Sequence, residues 1–280
     1  MKTFIYLTSL VLFSSGASLA GPEVAVVDFA KGTTEPRLLE KTIVMKNLDP
    51  NFPKLGQQQF KVTDLKDILP KNLPKWTPIT ILAKDQFIGS LTYGEYLDLD
   101  AKLAFSANGK PIPKRYGGPI KVMFPKLQPI ELYTWYVKSI LIGETKSPSL
   151  SIWRGEETSS VTIKELVSYS RKYQANLPMP MGYAPNRPKS SKSFHGVTVR
   201  DLLSQLKIAE SEFIVAKNIA GETYKISKAN YLDLILASQV DNRPISPSQG
   251  GSFSIISPTG SSSGFVRGLF YVTSLTMESK

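Results

Sequence analysis

Residues 60–69 of the chain read FKVTDLKDIL, and residues 194–203 read FHGVTVRDLL. The two stretches share the phenylalanine, a basic residue, an aspartate and the final leucine, at the same positions. Apolar residues spaced three and four apart predict a short amphipathic helix in each, over Asp64–Leu69 and Val199–Leu206. The chain therefore contains one supersecondary unit twice, and the fold follows from that unit.

Further matches occur in the same order in both halves, each pair separated by 133 to 135 positions. They pair residues 81–85 with 214–218, 96–99 with 231–234, 109–112 with 242–245, Gly117-Gly118 with Gly250-Gly251, Pro125 with Pro258, and 136–137 with 271–272. Ordered matches at a constant spacing indicate a duplicated unit of roughly 130 residues, which is an ordinary domain size. We expect a first domain over 21–147 and a second over 148–280, because residues 143–151 are rich in Ser, Pro and Gly.

The pattern predicts an α+β class, with mixed β-sheets, short helices and long loops. The expected strands are Ile79–Ala83, Phe213–Ala216, Ile120–Phe124, Phe253–Ile256, Tyr133–Ile142 and Leu269–Leu275. A further helix is expected over Val161–Ser170, and the proline-rich stretch Pro178–Pro188 is expected to be a loop.

The first twenty residues, Met1–Ala20, have the pattern of a secretory signal peptide. Lys2 precedes an apolar run over Phe4–Phe13, and Ser18-Leu19-Ala20 has the small residues of a cleavage site. No later stretch reaches about 18 apolar residues, and no cysteine is present to carry a lipid anchor. We expect a soluble protein of the Gram-negative periplasm with no direct membrane anchor; the alternative is an uncleaved N-terminal anchor.

Composition excludes several kinds of chemistry. The chain has no Cys and one His, His195, which removes disulfides, zinc–thiolate sites, iron–sulfur clusters, Cys nucleophiles and HExxH sites. Its 34 Lys+Arg against 23 Asp+Glu give a formal net charge of +11. The basic residues are scattered rather than clustered with aromatic residues, so a nucleic-acid partner is not expected.

The order of the segments resembles the molybdopterin-binding domain of the sulfite oxidase family. That family has a G-V-x-L-x-D-L-L helix, a strand, an acidic turn followed by an aromatic residue, a Leu-Ala segment, G-x-P-L, a G-G-P-I-R-L-V-x-P strand and a closing V-K strand. The matching segments here are Val62–Leu69, Ile79–Phe87, Lys102–Ala104, Gly109–Ile112, Gly117–Pro125 and Tyr136–Ile140, then Gly196–Leu203, Phe213–Asn218, Gly250–Pro258 and Tyr271–Leu275. The resemblance covers most of the mature chain and implies two tandem domains of this type.

The chain departs from the family where the enzymes bind molybdenum. Their ligating cysteine lies upstream of the helix, in stretches corresponding to Thr42–Asn47 and Leu177–Tyr183, and neither stretch contains a cysteine. A neutral methionine thioether does not replace an anionic thiolate. The resemblance therefore implies a protein that is not an enzyme and binds a pterin-like ligand without molybdenum or another metal.

The resemblance also indicates where the ligand would bind. Two cationic positions of the family are kept in the first copy as Lys121 and Lys138, whereas the second copy has Ser254 and Thr273. We therefore expect the site in the first domain, with the second degenerate and used for docking. The candidate ligand-binding residues are Arg115, Tyr116, Gly117, Gly118, Lys121, Lys126, Trp135 and Lys138. The alternatives are solvated lysines, an ordinary turn at Arg115, and a tryptophan that serves only packing.

The implied function is that of a non-catalytic periplasmic pterin-binding protein that partners the periplasmic domain of a membrane sensor. Such sensors include enzymes that make or degrade cyclic di-GMP. Two alternatives stay open at this point. One is a molybdopterin-dependent oxidoreductase with non-thiolate metal ligands, and the other is a structural or interaction module whose pocket has closed.

Overall fold

The computed structural model describes residues 22–85, 87–144, 148–169, 171–175, 192–219, 221–246, 250–257 and 269–279. Three predictions lie outside the described residues: the signal peptide Met1–Ala20, the stretch Leu177–Tyr183 and the loop Pro178–Pro188. In the described part of the chain, no helix has the length and apolar character needed to cross a bilayer.

Ten strands and two short helices make up the first half. They are β1 (Glu23–Asp28), β2 (Thr33–Leu38), β3 (Thr42–Leu48), β4 (Gln57–Asp64), α1 (Leu65–Ile68), β5 (Pro78–Ala83), β6 (Ile88–Thr92), α2 (Tyr93–Asp98), β7 (Lys102–Ala107), β8 (Lys110–Pro111), β9 (Lys121–Met123) and β10 (Val137–Ile142). One sheet has the order β2-β1-β10-β5-β6, and the other has the order β3-β4-β7-β8, with β9 also paired to β7. The first sheet is mixed because β1 and β10 run parallel while its other pairs are antiparallel.

The second half repeats this arrangement. Its elements are β11 (Ser149–Arg154), β12 (Glu157–Thr162), α3 (Ile163–Tyr169), β13 (Arg171–Ala175), β14 (Lys192–Thr198), α4 (Val199–Gln205), β15 (Phe213–Asn218), β16 (Thr223–Ser227), α5 (Lys228–Tyr231), β17 (Ile235–Val240), β18 (Arg243–Pro244), β19 (Ser254–Ile256) and β20 (Val272–Glu278). The sheets have the orders β12-β11-β20-β15-β16 and β13-β14-β17-β18, with β19 on β17. The two halves therefore share one strand order, and each sheet takes its strands from one half.

The predicted α+β class with mixed sheets is confirmed. The repeated stretch forms the end of a strand followed by a short helix in both halves, β4 with α1 and β14 with α4. The closing strands begin later than expected, at Val137 instead of Tyr133 and at Val272 instead of Leu269. The residue before each strand, Tyr136 or Tyr271, has a positive φ, which interrupts extended backbone.

Each half has its own apolar core between its two sheets and helices. The first is centred on fully buried residues from four different strands, Ile79, Leu103, Val122 and Ile140. The second is built in the same way. A smaller cluster joins the halves, in which Leu82 and Leu141 pack with Phe270 and Tyr271. The halves therefore meet through apolar side chains on the mixed sheet of the first half.

Candidate functional site

The Gly117-Gly118 turn exists because two close approaches leave no room for side chains. Gly117 has φ of 87° and ends a short 3-10 helix over Lys114–Tyr116. A Cβ on Gly117 would lie 2.7 Å from the Trp135 ring, and one on Gly118 would lie 1.8 Å from the carbonyl oxygen of Ile112. The turn thus brings the backbone directly against the Trp135 indole.

An aromatic cluster lies beside this turn. The Phe52 ring stacks on Trp135, with centroids 5.0 Å apart and planes inclined by 24°. The same ring meets Tyr116 edge to face, also with centroids at 5.0 Å. The Arg115 guanidinium carbon lies 4.8 Å from the centre of the Tyr116 ring. Phe52 comes from the segment between β3 and β4, and sequence reasoning missed it because no motif marks that segment.

Lys121 is the buried charge of the site. Its side chain is 1% exposed, and its ammonium forms an ion pair with the Asp49 carboxylate, which is also 1% exposed. The ammonium donates a second hydrogen bond to the Tyr116 carbonyl oxygen at 3.2 Å. It lies 5.3 Å from the centre of the Phe60 ring and 5.7 Å from that of Phe52. Lys121 is therefore not a solvated strand-face lysine, and its charge has an internal partner that the sequence did not reveal.

The environment of Lys121 acts on its pKa in two directions. Burial lowers the pKa of the ammonium, because the charged form loses hydration, while the hydrogen bond and charge of Asp49 oppose that shift. Burial has the larger effect, so the pKa lies below its ordinary value. The ion pair with Asp49 offsets the cost of burying the Lys121 ammonium.

A cleft of about 330 Å³ opens onto this cluster. Its lining combines ring faces, amides and cations: Gln58, Phe60, Ala107, Asn108, Lys110, Pro111, Ile112, Pro113, Tyr116 and Lys121. The volume lies in the lower part of the range for small-molecule sites. The indole Nε1 of Trp135, close by, is buried without a hydrogen-bond partner among the described atoms.

The structure brings together six of the eight candidate residues, namely Arg115, Tyr116, Gly117, Gly118, Lys121 and Trp135. Of these six, Tyr116 and Lys121 line the cleft, and the other two candidates lie outside both the lining and the aromatic cluster. Lys126 is exposed beyond the end of β9, and Lys138 is half-buried on β10. Lys138 is the extra residue of a β-bulge between Val137 and Ser139, so its side chain does not follow the regular alternation of β10.

The second half keeps the glycine turn but lacks the cation. Cβ atoms on Gly250 and Gly251 would lie 2.6 Å from the Phe270 ring and 2.2 Å from the Tyr271 ring. In place of Lys121 stands Ser254, which is buried and donates to the Gly250 carbonyl oxygen at 3.3 Å. A larger cavity of about 870 Å³ lies beside this turn, and its mostly apolar lining includes Phe29 from the first half.

The described lining of the first-half cleft offers ring and polar groups rather than a cluster of metal ligands. Ring faces, a cation and amide groups meet at the first-half cleft, and these are the groups that a flat polar heterocycle requires. The stretch Thr42–Asn47 lies on β3, where Ile43 and Val44 are exposed. Within the part of the chain that the structure describes, no group of three or more His, Cys, Asp or Glu side chains could hold a metal ion.

The described residues form an α+β protein of two similar halves, with a cleft beside an aromatic cluster in the first half. No protein-family model matches the chain, and no curated protein sequence matches it. Among solved structures, the chain is similar to the sulfane dehydrogenase SoxCD from Paracoccus pantotrophus, with a TM-score of 0.35 and 10% identity. The match covers 65% of this chain and 48% of that chain, so this protein spans about half its length. These values assign no family, and the resemblance to sulfite oxidases stays a prediction.

Proposed function

We propose that this protein is a non-catalytic pterin-binding protein whose ligand binds at the first-half cleft. The observation that carries the proposal is the meeting of the Tyr116 and Phe60 rings with the Lys121 ammonium along one cleft. A pterin is flat, so it can stack on an aromatic face, and its polar edge can use amides such as that of Gln58. A phosphate or carboxylate on the ligand would meet the cation.

The proposal extends to location and partner. The signal-like sequence Met1–Ala20 supports export to the periplasm, where the loaded protein would dock on the periplasmic domain of a membrane sensor. Sensors that make or degrade cyclic di-GMP are the partners implied by the family resemblance. In this proposal the second half serves docking instead of pterin binding, since its turn has Ser254 in place of the cation.

A second candidate is an interaction module with a closed pocket. The Lys121–Asp49 ion pair favours it, because the cation already has an internal partner. The two candidates differ in one measurable property, which is binding of a small ring compound to the folded protein.

The test uses the exported protein purified from the periplasm of an expressing Gram-negative host. Compounds released on denaturation are identified by fluorescence and mass spectrometry, and the protein is then titrated with oxidised and reduced pterins. We expect Arg115→Ala and the charge-free double variant Lys121→Met/Asp49→Asn to weaken binding. The matched control is Arg200→Met/Asp233→Asn, which removes an exposed ion pair of the second half. If no pterin binds more tightly than about 1 mM, the proposal is wrong.

A further inference from the structure

The segment between β3 and β4 lies beside the first-half cleft and places the chain's own groups against residues of the candidate site. We call residues 49–56 the plug segment. It supplies an anion, the Asp49 carboxylate, to the cation of the site, and a flat ring, that of Phe52, to the two aromatic faces of the site. We propose that Asp49 and Phe52 act as an internal ligand, and that the site takes a planar ring compound bearing an anionic group, which binds in exchange for them. This inference rests on the proposed function and adds the class of ligand and the control of access.

The anionic requirement follows from the burial of Lys121. Its side chain is 1% exposed and its carboxylate partner is equally buried, so neither charge has water as an alternative partner. The other Asp49 oxygen accepts a hydrogen bond from the Asn51 backbone N–H at 3.1 Å. A ligand that displaced Asp49 without bringing an anion would leave an unpaired buried ammonium, which is strongly unfavourable. A neutral ring compound is therefore a poor substitute for the plug segment.

The planar requirement follows from the position of the Phe52 ring. It stacks on Trp135 at 5.0 Å and meets Tyr116 edge to face at the same distance. Removal of this ring would take away a stacking contact from the indole and an edge-to-face contact from the phenol. A flat ring system regains both contacts, whereas an aliphatic compound regains neither.

The plug segment is attached in a way that permits exchange. The Asn47 side-chain amide donates to the Phe124 carbonyl oxygen at 2.6 Å and anchors the chain just before the segment. After Phe52 the chain runs through exposed residues to Gly56, where φ is 64° and no other group lies within 4 Å of a Cβ position. The segment thus contacts the site chiefly through Asp49 and Phe52, with an exposed connection on one side and a fixed anchor on the other.

The test measures binding of two probes to the full exported protein and to Phe52→Ala. Naphthalene-2-carboxylate is planar and anionic, and 2-naphthalenemethanol is its neutral counterpart. We expect Phe52→Ala to bind the carboxylate about tenfold more tightly than the wild type does, a factor that corresponds to the free energy of one stacking contact. The affinity for the alcohol should change little. The matched control is Phe213→Ala in the second half, where Lys225 lies 4.5 Å from the ring. This control leaves both affinities unchanged.

Folding of each variant is checked by circular dichroism, and Phe52→Leu provides a milder change with a smaller expected gain. A second readout needs no ligand: in a Trp76→Phe/Trp153→Phe background, acrylamide quenches Trp135 fluorescence more strongly when Phe52 is removed. Equal carboxylate affinity in the wild type and Phe52→Ala overturns the inference, even if the wild type binds pterins. A gain for the carboxylate with no binding of any pterin supports the internal ligand and refutes the proposed function.

Discussion

The Lys121–Asp49 ion pair gives the sharpest prediction for stability. Both side chains are 1% exposed. Replacement of one of them therefore leaves the other as an unpaired buried charge that water cannot reach. Lys121→Met leaves the carboxylate with the Asn51 N–H as its remaining described hydrogen-bond donor. Asp49→Asn leaves the ammonium with neutral acceptors in place of a carboxylate, namely the Tyr116 carbonyl oxygen and the new amide oxygen. Each single variant should lose about 3–5 kcal/mol of unfolding free energy. The double variant leaves no unpaired buried charge. Its unfolding free energy should lie within about 1 kcal/mol of the wild-type value or above it.

The assay is guanidinium unfolding followed by circular dichroism and by Trp135 fluorescence, with the other two tryptophans replaced by phenylalanine. Trp135 reports on the half that contains the pair, which matters because a protein of this size can unfold in steps. A loss of 3–5 kcal/mol corresponds to a fall in melting temperature of about 10–20 °C for a unit of roughly 130 residues. The exposed Arg200–Asp233 pair is the control and should contribute about 0–1 kcal/mol. Single variants within 1 kcal/mol of the wild type, or a double variant as unstable as the singles, would refute this account of the pair.

Three further predictions concern the first half. Gly118→Ala forces a Cβ against the Ile112 carbonyl oxygen and should cost about 3 kcal/mol in guanidinium unfolding; a cost near zero would mean that the turn relaxes freely. Burial alone would raise the pKa of Asp64, but the hydrogen bond and charge of Lys102, helped by a second lysine, outweigh it and hold that pKa below its ordinary value. Asp64 therefore stabilises the protein above about pH 4, its unfolded value, and this contribution is lost as pH falls through the lowered folded value. We expect Asp64→Asn to be about 1 kcal/mol less stable at pH 7 and the difference to shrink steadily below pH 4, whereas a gap independent of pH would contradict the assignment. Thr92→Ala removes the N-cap hydroxyl of α2 and should cost about 1 kcal/mol in thermal unfolding, while Thr92→Ser should retain most of that stability.

The candidate residues named from the sequence include those parts of the candidate site that lie close together along the chain. Arg115 to Gly118 are consecutive, and they lie near Lys121 because the chain turns there into β9. Trp135 joins them because its ring packs on the backbone of Gly117. Lys138 was named from the family resemblance, and it lies at a bulge of β10 apart from this group; one inserted residue changes the direction of a side chain and leaves no mark in the sequence pattern.

The sequence by itself determined the duplicated unit, the helix that follows β4 and β14, and the α+β class, because periodicity and turn residues act over a few positions. The sequence pattern predicted strands at β5, β9, β10, β15, β19 and β20 but not at the other positions, and the matches between the halves begin only at Phe60, after β1 to β3. Only the tertiary structure decided that Asp49 reaches Lys121 across 72 positions and that Phe52 fills the space beside Trp135. The physical reason is that an ion pair and a ring stack depend on distances of a few ångströms, which the packing of the plug segment against β9 sets and no local pattern records.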